Sequence, residues 1–471
     1  MKYGSFYTRI PGLAVICLAW SLSAFAAQSN TLTRGEIIER VVCRADTGQS
    51  YALFLPASYT PQKRWPIIYC FDPVARGRVP LERFKEAAAK YGFILAGSNN
   101  SRNGASDVSV AVNAMINDTS ERLAIDSRRV YTAGFSGGGR VAIAVALSFG
   151  ERIAGVIACG GGFPPSVTPS KAATFALFAT AGTEDFNYIE MRGLTRTFDR
   201  LGLANRLATF EGGHDWLTPT LADEAIVWLE LQAMKNNRRA RDEAFITEAF
   251  NQSLSRARAA EAAGKSYENY LRLADIADDF KGLRDVAEFA KRAGELKETK
   301  EVKQAIKQED DQTREQQMHI KELFMLKEAM RNNDERPLAY ADLQKNLIAL
   351  KKKSDAPQTP SEHLIARRTI NQFFASLSEE ADLLSRRKQY GAAAENLELM
   401  ALMAPNNPRV FYNMACLHAL NRDRSRALEA LKRAVEKGFK DAATIEGDKD
   451  LDALRDDPVY KQIVEELKKR S

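Results

Sequence analysis

The chain has 471 residues, 45% of them hydrophobic, and a formal net charge of +6 at pH 7. This length predicts roughly two or three domains, and the hydrophobic fraction is sufficient for packed cores. The net charge is small for the length, and no block of basic residues is interleaved with aromatic residues. The composition therefore argues against a nucleic-acid partner.

The first residues have the features of an export signal. Lys2 and Arg9 precede an apolar stretch at residues 11–25, and residues 24–26 read Ala-Phe-Ala, a cleavage pattern for signal peptidase. The stretch is too short for a comfortable membrane span, although an uncleaved anchor is the alternative. We expect residues 1–26 to be removed as a signal peptide, leaving an exported protein, periplasmic or secreted, without a stable membrane span.

Apolar runs alternate with amphipathic segments as far as about residue 235. The runs predict strands at residues 39–45, 51–56, 66–70, 93–96, 129–133, 153–158, 175–180 and 206–210. The segments between and after them predict helices at 81–91, 107–123, 141–147 and 218–234. Alternation of this kind predicts a mostly parallel sheet with helices on both faces.

One strand-to-helix turn carries a candidate nucleophile. Residues 134–138 read Gly-Phe-Ser-Gly-Gly, between the strand at 129–133 and the helix at 141–147. In this context a G-x-S-x-G pattern forms a nucleophile elbow, whose tight turn leaves no room for side chains beside the serine. The pattern alone also fits a packing turn or a phosphate cradle. The histidine content favours the catalytic interpretation of Ser136.

Only one histidine is placed to act as the base. His214 is the only histidine before His319, and it directly follows the predicted strand at 206–210. It therefore lies at the carboxyl end of a strand, where α/β sheets place their sites. A structural histidine is the alternative, but the chain order of serine then histidine favours a base. His363 and His418, like His319, fall at helical positions without partner ligands, so we assign them packing or surface roles.

A carboxylate between the serine and the histidine should orient the imidazole. Asp185 follows the strand at 175–180 and lies three residues past the turn residue Gly182. Glu184 is the local competitor, and Asp215 is a poorer one because adjacent loop side chains usually diverge. Asp185 as a solvated acid or a helix cap is the structural alternative.

Two backbone amides are candidates for an oxyanion hole. One belongs to Gly137, the residue after the nucleophile, and the other should follow the strand at 66–70. Pro73 has no amide proton, which leaves Asp72 or Val74. We favour the amide of Asp72.

From about residue 35 to 235 the chain resembles an α/β-hydrolase of the esterase, dienelactone hydrolase and polyhydroxyalkanoate-depolymerase-like group. The resemblance rests on Ser136, Asp185 and His214 in their motifs and on the alternation of strands and helices. It implies an acyl-enzyme mechanism without a cofactor. The loop after residue 70 lacks the glycine run common in lipases and esterases, and residues 160–174 are too few for the helical lid of many lipases. An open site is expected.

The sequence predicts neither a metal site nor disulfide bonds. No metal-ligand spacing appears. Export would permit disulfides, but Cys43, Cys70 and Cys159 fall in or at the ends of predicted buried strands. We expect these cysteines to be inert core thiols.

Beyond residue 235 glycine and proline become scarce, and apolar residues recur at helical spacing. A set of positions then repeats after 34 residues, which resembles tetratricopeptide repeats. The first copy has Leu377, Ala381, Ala393 and Leu397, and the second has Phe411, Ala415, Ala427 and Leu431. We predict a hydrolase domain at 27–236, a helical region with degenerate repeats at 237–353, a break near 354–360, and tetratricopeptide-like repeats at 361–471.

These observations favour an exported serine hydrolase that cleaves carboxylic esters through Ser136, His214 and Asp185. The helical repeats would then be a separable module that docks a protein partner. One alternative is a non-catalytic binding protein on a hydrolase fold. Another is a serine peptidase or acyltransferase with the same triad, because a triad does not fix the leaving group or the acceptor.

Overall fold

The protein was analysed as a computed structural model, which describes residues 32–470. The predicted signal peptide lies outside the described residues. The strands are β1 (Ile37–Val42), β2 (Ser50–Phe54), β3 (Trp65–Phe71), β4 (Ile94–Ser98), β5 (Ile125–Phe135), β6 (Gly155–Cys159), β7 (Ala176–Gly182) and β8 (Asn205–Phe210).

Helices α1 to α5 alternate with the strands, and the rest of the chain is helical. They are α1 (Arg78–Tyr91), α2 (Val108–Arg122), α3 (Gly137–Phe149), α4 (Tyr188–Leu201), α5 (Pro219–Lys235), α6 (Glu243–Ala262), α7 (Ser266–Phe280), α8 (Ala287–Glu298), α9 (Lys300–Ala329), α10 (Arg336–Asp355), α11 (Pro360–Arg386), α12 (Tyr390–Met403), α13 (Pro408–Leu420), α14 (Arg424–Glu436), α15 (Ala442–Gly447) and α16 (Pro458–Arg470).

The eight strands form one sheet in the order β1-β2-β4-β3-β5-β6-β7-β8. Strand β2 runs antiparallel to both of its neighbours, and the remaining pairs from β4 to β8 are parallel. This is the strand order of the α/β-hydrolase fold, so the predicted fold class is confirmed.

Helices cover both faces of this sheet. Helices α1 and α5 pack on one face through Leu81, Phe84 and Leu221. Helices α2, α3 and α4 pack on the other, as Met115 and Met191 show. The central strands are buried along their length, which is why they appear in the sequence as continuous apolar runs.

The carboxyl ends of the parallel strands lie at one edge of the sheet. The loops that follow β3, β5, β7 and β8 carry Asp72, Ser136, Asp185 and His214 respectively. The loops after β4 and β6 reach the same edge. The fold therefore gathers the predicted site residues where parallel α/β sheets bind their ligands.

The first helices of the helical region share a core with the sheet. Leu231 and Met234 of α5 belong to one apolar cluster with Ile246 of α6 and Phe280 of α7. A network of charged side chains lies beside this cluster and links β8 and α5 to α7. Helices α6 to α8 are therefore continuous with the hydrolase domain rather than joined to it by a free linker.

The remaining helices form a second core. Helices α11 and α12 pack together, as do α13 and α14, in the segments where the 34-residue register was found. Their identification as tetratricopeptide repeats stays a prediction. Helix α10 ends at Asp355 and α11 begins at Pro360, within the segment predicted as a break, and the charged segment 300–316 lies within α9. Within residues 32–470, no helix is long and apolar enough to cross a membrane.

Candidate active site

Ser136 occupies a strained turn between β5 and α3. Its backbone φ is +55° and its ψ is −122°, a combination that side chains rarely adopt. The turn is tightly packed: a Cβ on Gly134 would lie 2.0 Å from the carbonyl oxygen of Gly138, and a Cβ on Gly138 would lie 2.0 Å from that of Phe71. The glycines at both positions are thus required by the close approach of backbones. The geometry is that of a nucleophile elbow.

The structure brings His214 and Asp185 together. Nδ1 of His214 lies 2.9 Å from Oδ1 of Asp185, which also accepts a hydrogen bond of 2.8 Å from the amide of Asn187. The Asp185 carboxylate is fully buried. The imidazole lies between the rings of Phe135 and Phe186, with centroid distances of 4.4 and 4.1 Å. Its plane and its Nδ1 are therefore fixed by aromatic packing and by one carboxylate.

A pair of glycines after β6 lies among the three candidate triad residues. A Cβ on Gly160 would lie 2.7 Å from Oδ2 of Asp185 and 3.0 Å from Cε1 of His214. A Cβ on Gly161 would lie 2.1 Å from the carbonyl oxygen of Ser136. Nε2 of His214 is buried and has no hydrogen-bond partner within residues 32–470, and none of the hydrogen bonds there joins it to Ser136. This nitrogen is unoccupied on the side of the ring opposite Asp185.

The two competing carboxylates are engaged elsewhere. Glu184 points towards α11, where its oxygens lie 3.2 Å from Nε of Arg367 and 3.6 Å from Nε2 of His363. Asp215 lies 3.2 Å from Arg83 of α1. Neither forms a hydrogen bond with His214, so of the three carboxylates the geometry selects Asp185.

The loop after β3 is organised by the side chain of Asp72. Its buried carboxylate accepts hydrogen bonds from the amide of Val74 at 3.0 Å, from Arg76 at 2.9 Å and from Nε1 of Trp216 at 3.1 Å. Burial acts to raise the pKa of Asp72, but these hydrogen bonds outweigh it and hold the pKa below its ordinary value. The Asp72 carboxylate thus links the loop after β3 to the loop that carries His214.

This arrangement distinguishes Asp72 from Val74 as candidates for the second oxyanion donor. The Val74 amide is occupied by the Asp72 carboxylate. The amide nitrogen of Asp72 lies close to the elbow, 3.3 Å from the position of a Cβ on Gly138. Gly137 is the first residue of α3, where amides have no partner inside the helix. The amides of Gly137 and Asp72 are therefore the two that this geometry leaves available.

Two groups beside the elbow escaped the sequence analysis. Asn103, after β4, lies over the elbow: a Cβ on Gly137 would be 2.0 Å from its Oδ1 and 2.3 Å from its Nδ2. Its own amide donates to the carbonyl of Pro73 at 2.8 Å. Arg140 forms an ion pair of 2.8 Å with Glu190, which also accepts from the amide of Gly162 at 3.0 Å. The glycine run at 160–162 is the sequence feature that could have indicated the group formed by Arg140 and Glu190.

The cysteines of the described part of the chain are buried thiols. The four within residues 32–470 are buried and unpaired. Burial raises the pKa of both Cys43 and Cys159 to about 11, and it also raises that of Cys70. The predicted core thiols are therefore confirmed.

One group in the helical region has the composition of a metal site. Ligand atoms of Cys416, Asp448 and Asp450 lie within 4.8 Å of one another. Burial and the Asp448 charge raise the pKa of the Cys416 thiol. Asp448 accepts hydrogen bonds from the hydroxyl of Tyr412 and, at 3.6 Å, from Sγ of Cys416, so these side chains form a hydrogen-bonded set.

Comparison with known proteins finds a family model that is similar to part of the chain. Residues 94–201 match a family model described as phospholipase/carboxylesterase. The matched segment runs from β4 to the end of α4 and includes Ser136 and Asp185, whereas His214 lies beyond it. A comparison with curated proteins finds no match.

Three solved structures illustrate the similarity. S-formylglutathione hydrolase from Staphylococcus aureus is 13% identical over 38% of this chain and 90% of its own, with a TM-score of 0.32. A ferulic acid esterase is 17% identical over 41% of this chain and 97% of its own, with a TM-score of 0.36. Est1E from Butyrivibrio proteoclasticus is 12% identical over 41% of this chain and 99% of its own, with a TM-score of 0.34.

Proposed function

We propose that the protein is a serine hydrolase that cleaves carboxylic esters through an acyl-enzyme intermediate. The observation that carries the proposal is the contact of 2.9 Å between His214 and the fully buried Asp185, packed through Gly160 and Gly161 against the strained Ser136. The match of residues 94–201 to a phospholipase/carboxylesterase family supports the ester as the bond that is cleaved.

The proposed reaction has two half-reactions, acylation of Ser136 and hydrolysis of the acyl-enzyme. Oγ of Ser136 attacks the ester carbonyl while Nε2 of His214 takes its proton. The amides of Gly137 and Asp72 stabilise the oxyanion. As the tetrahedral intermediate collapses, the C–O bond to the alcohol breaks and His214 returns the proton to the alcohol.

Water then attacks the acyl-enzyme in the same way, which releases the acid and restores Ser136. Throughout, Asp185 accepts a hydrogen bond from the Nδ1–H group of His214 and stabilises the imidazolium that forms. The packing of the ring between Phe135 and Phe186 supports this assignment, because it prevents the imidazole from turning away.

The test is covalent labelling followed by turnover. A fluorophosphonate should modify wild-type protein at Ser136 and leave Ser136→Ala unlabelled, and a panel of esters, amides and thioesters should show turnover of esters first. A wild-type protein that neither labels nor turns over any ester would support the non-catalytic binding platform. Labelling with amide cleavage, or with acyl transfer to an added amine, would support the peptidase or acyltransferase alternative.

Export and docking complete the proposal. The mature chain would begin after Ala26 in the periplasm or outside the cell, and amino-terminal sequencing of the purified protein tests this.

The helical repeats would dock a protein partner through a groove of about 530 Å³ that includes Glu379, Asp382 and Asp448. Because these lining side chains are acidic, a basic segment is the partner that fits. Binding of a lysine-rich peptide that is lost in Asp448→Lys would support this, and salt-independent binding would oppose it.

A further inference from the structure

Helix α11 is attached at both ends to loops of the candidate active site. Near its start, Nε of Arg368 donates a hydrogen bond of 2.6 Å to the carbonyl of Thr183, two residues before Asp185. At its end, Nη1 of Arg386 donates a hydrogen bond of 3.4 Å to the carbonyl of Gly104, the neighbour of Asn103. The helix therefore connects the acid loop after β7 with the loop after β4.

The strand order places Ser136 between these two attachments. From β4 to β7 the sheet reads β4-β3-β5-β6-β7, so the end of β5 lies midway. Four strand spacings amount to about 19 Å. The stretch of α11 between Arg368 and Arg386 is about 27 Å long at the helical rise of 1.5 Å per residue. Helix α11 is thus long enough to cross the mouth of the site above Ser136.

The side of α11 that faces the site follows from its periodicity. Arg368 and Arg386 are separated by about five full turns at 3.6 residues per turn, so they share one face. Ala375 and Glu379 lie on that face near the middle of the stretch. The opposite face carries Phe373, Leu377 and Ala381, which are buried in the core of the helical region. Ala375 is half-buried, and Glu379 is exposed and also lines the groove that includes Asp382 and Asp448.

The attachment at Arg368 is buried. Arg368 is only 4% exposed, and its guanidinium lies 3.8 Å from the ring centroid of Tyr188. Arg192 of α4 forms an ion pair of 2.8 Å with Glu309 of α9, which packs against α11. These contacts hold the start of α11 against the acid loop and α4.

On the basis of the proposed function, we infer that α11 forms the outer wall of the substrate cleft, where Ala375 limits the size of the ester and Glu379 selects against negative charge. The sequence suggested an open site because no lid is inserted between β6 and β7. The wall comes instead from a helix that begins more than a hundred residues after His214.

The size limit is tested by filling the cleft. Ala375→Trp should reduce kcat/KM for an octanoate ester at least about tenfold more than for the acetate ester of the same alcohol, because a large side chain excludes the longer acyl chain. The matched control is Ala262→Trp, at an exposed position of α6, which should leave the ratio unchanged. An equal effect of Ala375→Trp on both esters would overturn the size assignment.

The charge preference is tested with a second pair of variants that leaves the packing intact. Glu379→Lys should raise kcat/KM for a succinate monoester relative to the neutral butyrate ester by about tenfold at low salt. Glu288→Lys on α8 is the control, since it makes the same change of net charge at an exposed site away from the cleft. Equal ratios in the two variants would overturn the charge assignment.

These outcomes are separable from failure of the proposed function. Fluorophosphonate labelling of Ser136 in the same preparations reports whether the nucleophile is active, independently of ester size. Wild-type protein without labelling refutes the hydrolase itself. Normal labelling with no shift in either ratio refutes only the role of α11.

Discussion

Around His214, burial decides which acidic side chain can orient the imidazole. Asp185 is fully buried and contacts Nδ1 directly, whereas Glu184 is turned towards Arg367 of α11. A carboxylate in a dry site interacts strongly with the imidazolium formed in the reaction, because the surrounding medium screens it little.

Exchange of the two acids for amides tests this assignment. Asp185→Asn should lower kcat on a small ester by roughly 10⁴-fold, because an amide stabilises the wrong imidazole tautomer. Glu184→Gln, the matched control one residue away, should change kcat only a few-fold. A larger loss in the Glu184 variant would show that the wrong carboxylate has been assigned.

Asn103 provides a second test beside the nucleophile. Its side-chain amide lies against the Cα of Gly137, next to the proposed oxyanion donor. Asn103→Ala should therefore lower kcat by about tenfold or more with little change in KM, as expected for a contact that strengthens in the transition state. Arg102→Ala, at the exposed preceding residue, is the control. A rise in KM with unchanged kcat would instead indicate a role in substrate binding.

The three candidate triad residues could be found from the sequence because each has a local signature. Ser136 is flanked by glycines, His214 is the only histidine in its half of the chain, and Asp185 follows a turn glycine. Asp72 was proposed only for its amide. The contact of its carboxylate with Trp216 joins residues far apart in the sequence, and no local pattern reports such a contact.

At the scale of elements, the sequence located all eight strands to within a few residues. The largest difference is at β5, which begins at Ile125 rather than near residue 129. Its first half is only partly buried and carries the polar residues 126–129, so it lacks the apolar run that marks the second half. The pattern of apolar residues therefore indicates a strand only where that strand is buried.

The contact between β8 and α7 depends on buried charge. Arg206 is 8% exposed and lies 3.0 Å from Asp275 and 3.7 Å from Glu224, and it also bonds to Asp279. Asp279 accepts a further hydrogen bond of 2.6 Å from Nε1 of Trp228. Glu224 also lies 3.4 Å from Arg256 and 3.9 Å from Arg272, so three arginines and three carboxylates share this cluster.

This buried cluster predicts that the stability of the fold depends on pH. Burial raises the pKa of Asp275 to about 6 despite the opposing charge of Arg206, compared with an ordinary value of 3.8. Because the folded pKa is the higher one, the stability that this group contributes is full below about pH 4 and is lost as the pH rises through about 6.

Asp275→Asn mimics the protonated acid and measures this contribution. Its free energy of unfolding should be close to that of the wild type near pH 4 and should exceed it increasingly between pH 5 and 7, as followed by urea denaturation. If the variant instead becomes relatively less stable as the pH rises, the attraction between Asp275 and Arg206 outweighs the cost of burial.

At the scale of the whole molecule, the sequence showed a change of composition near residue 235 and suggested a separable helical module. The structure gives the boundary a different meaning. Leu231 and Met234 of α5 lie in a core completed by Ile246, Ile276 and Phe280 from the first helices beyond that boundary. A composition change marks where strands stop, but it does not mark where packing stops.

Two truncations distinguish these interpretations. A chain ending at Asn237 would expose the Leu231 and Met234 side chains and would leave Arg206 without Asp275 and Asp279. Exposure of fully buried apolar side chains costs roughly 1.5–3 kcal/mol each, a large part of the stability of a typical domain. We expect this chain to be insoluble or to unfold well below the wild-type Tm.

A chain ending at Thr299 retains α6 to α8 and with them the shared core, so it should fold and label with fluorophosphonate. It lacks α11, and therefore the outer wall proposed for the cleft, so its kcat/KM for an octanoate ester should rise relative to that for the acetate ester. Circular dichroism, labelling and the ratio of the two esters measure these outcomes. If the chain ending at Asn237 were as stable and active as the one ending at Thr299, the helical region would be an independent module after all.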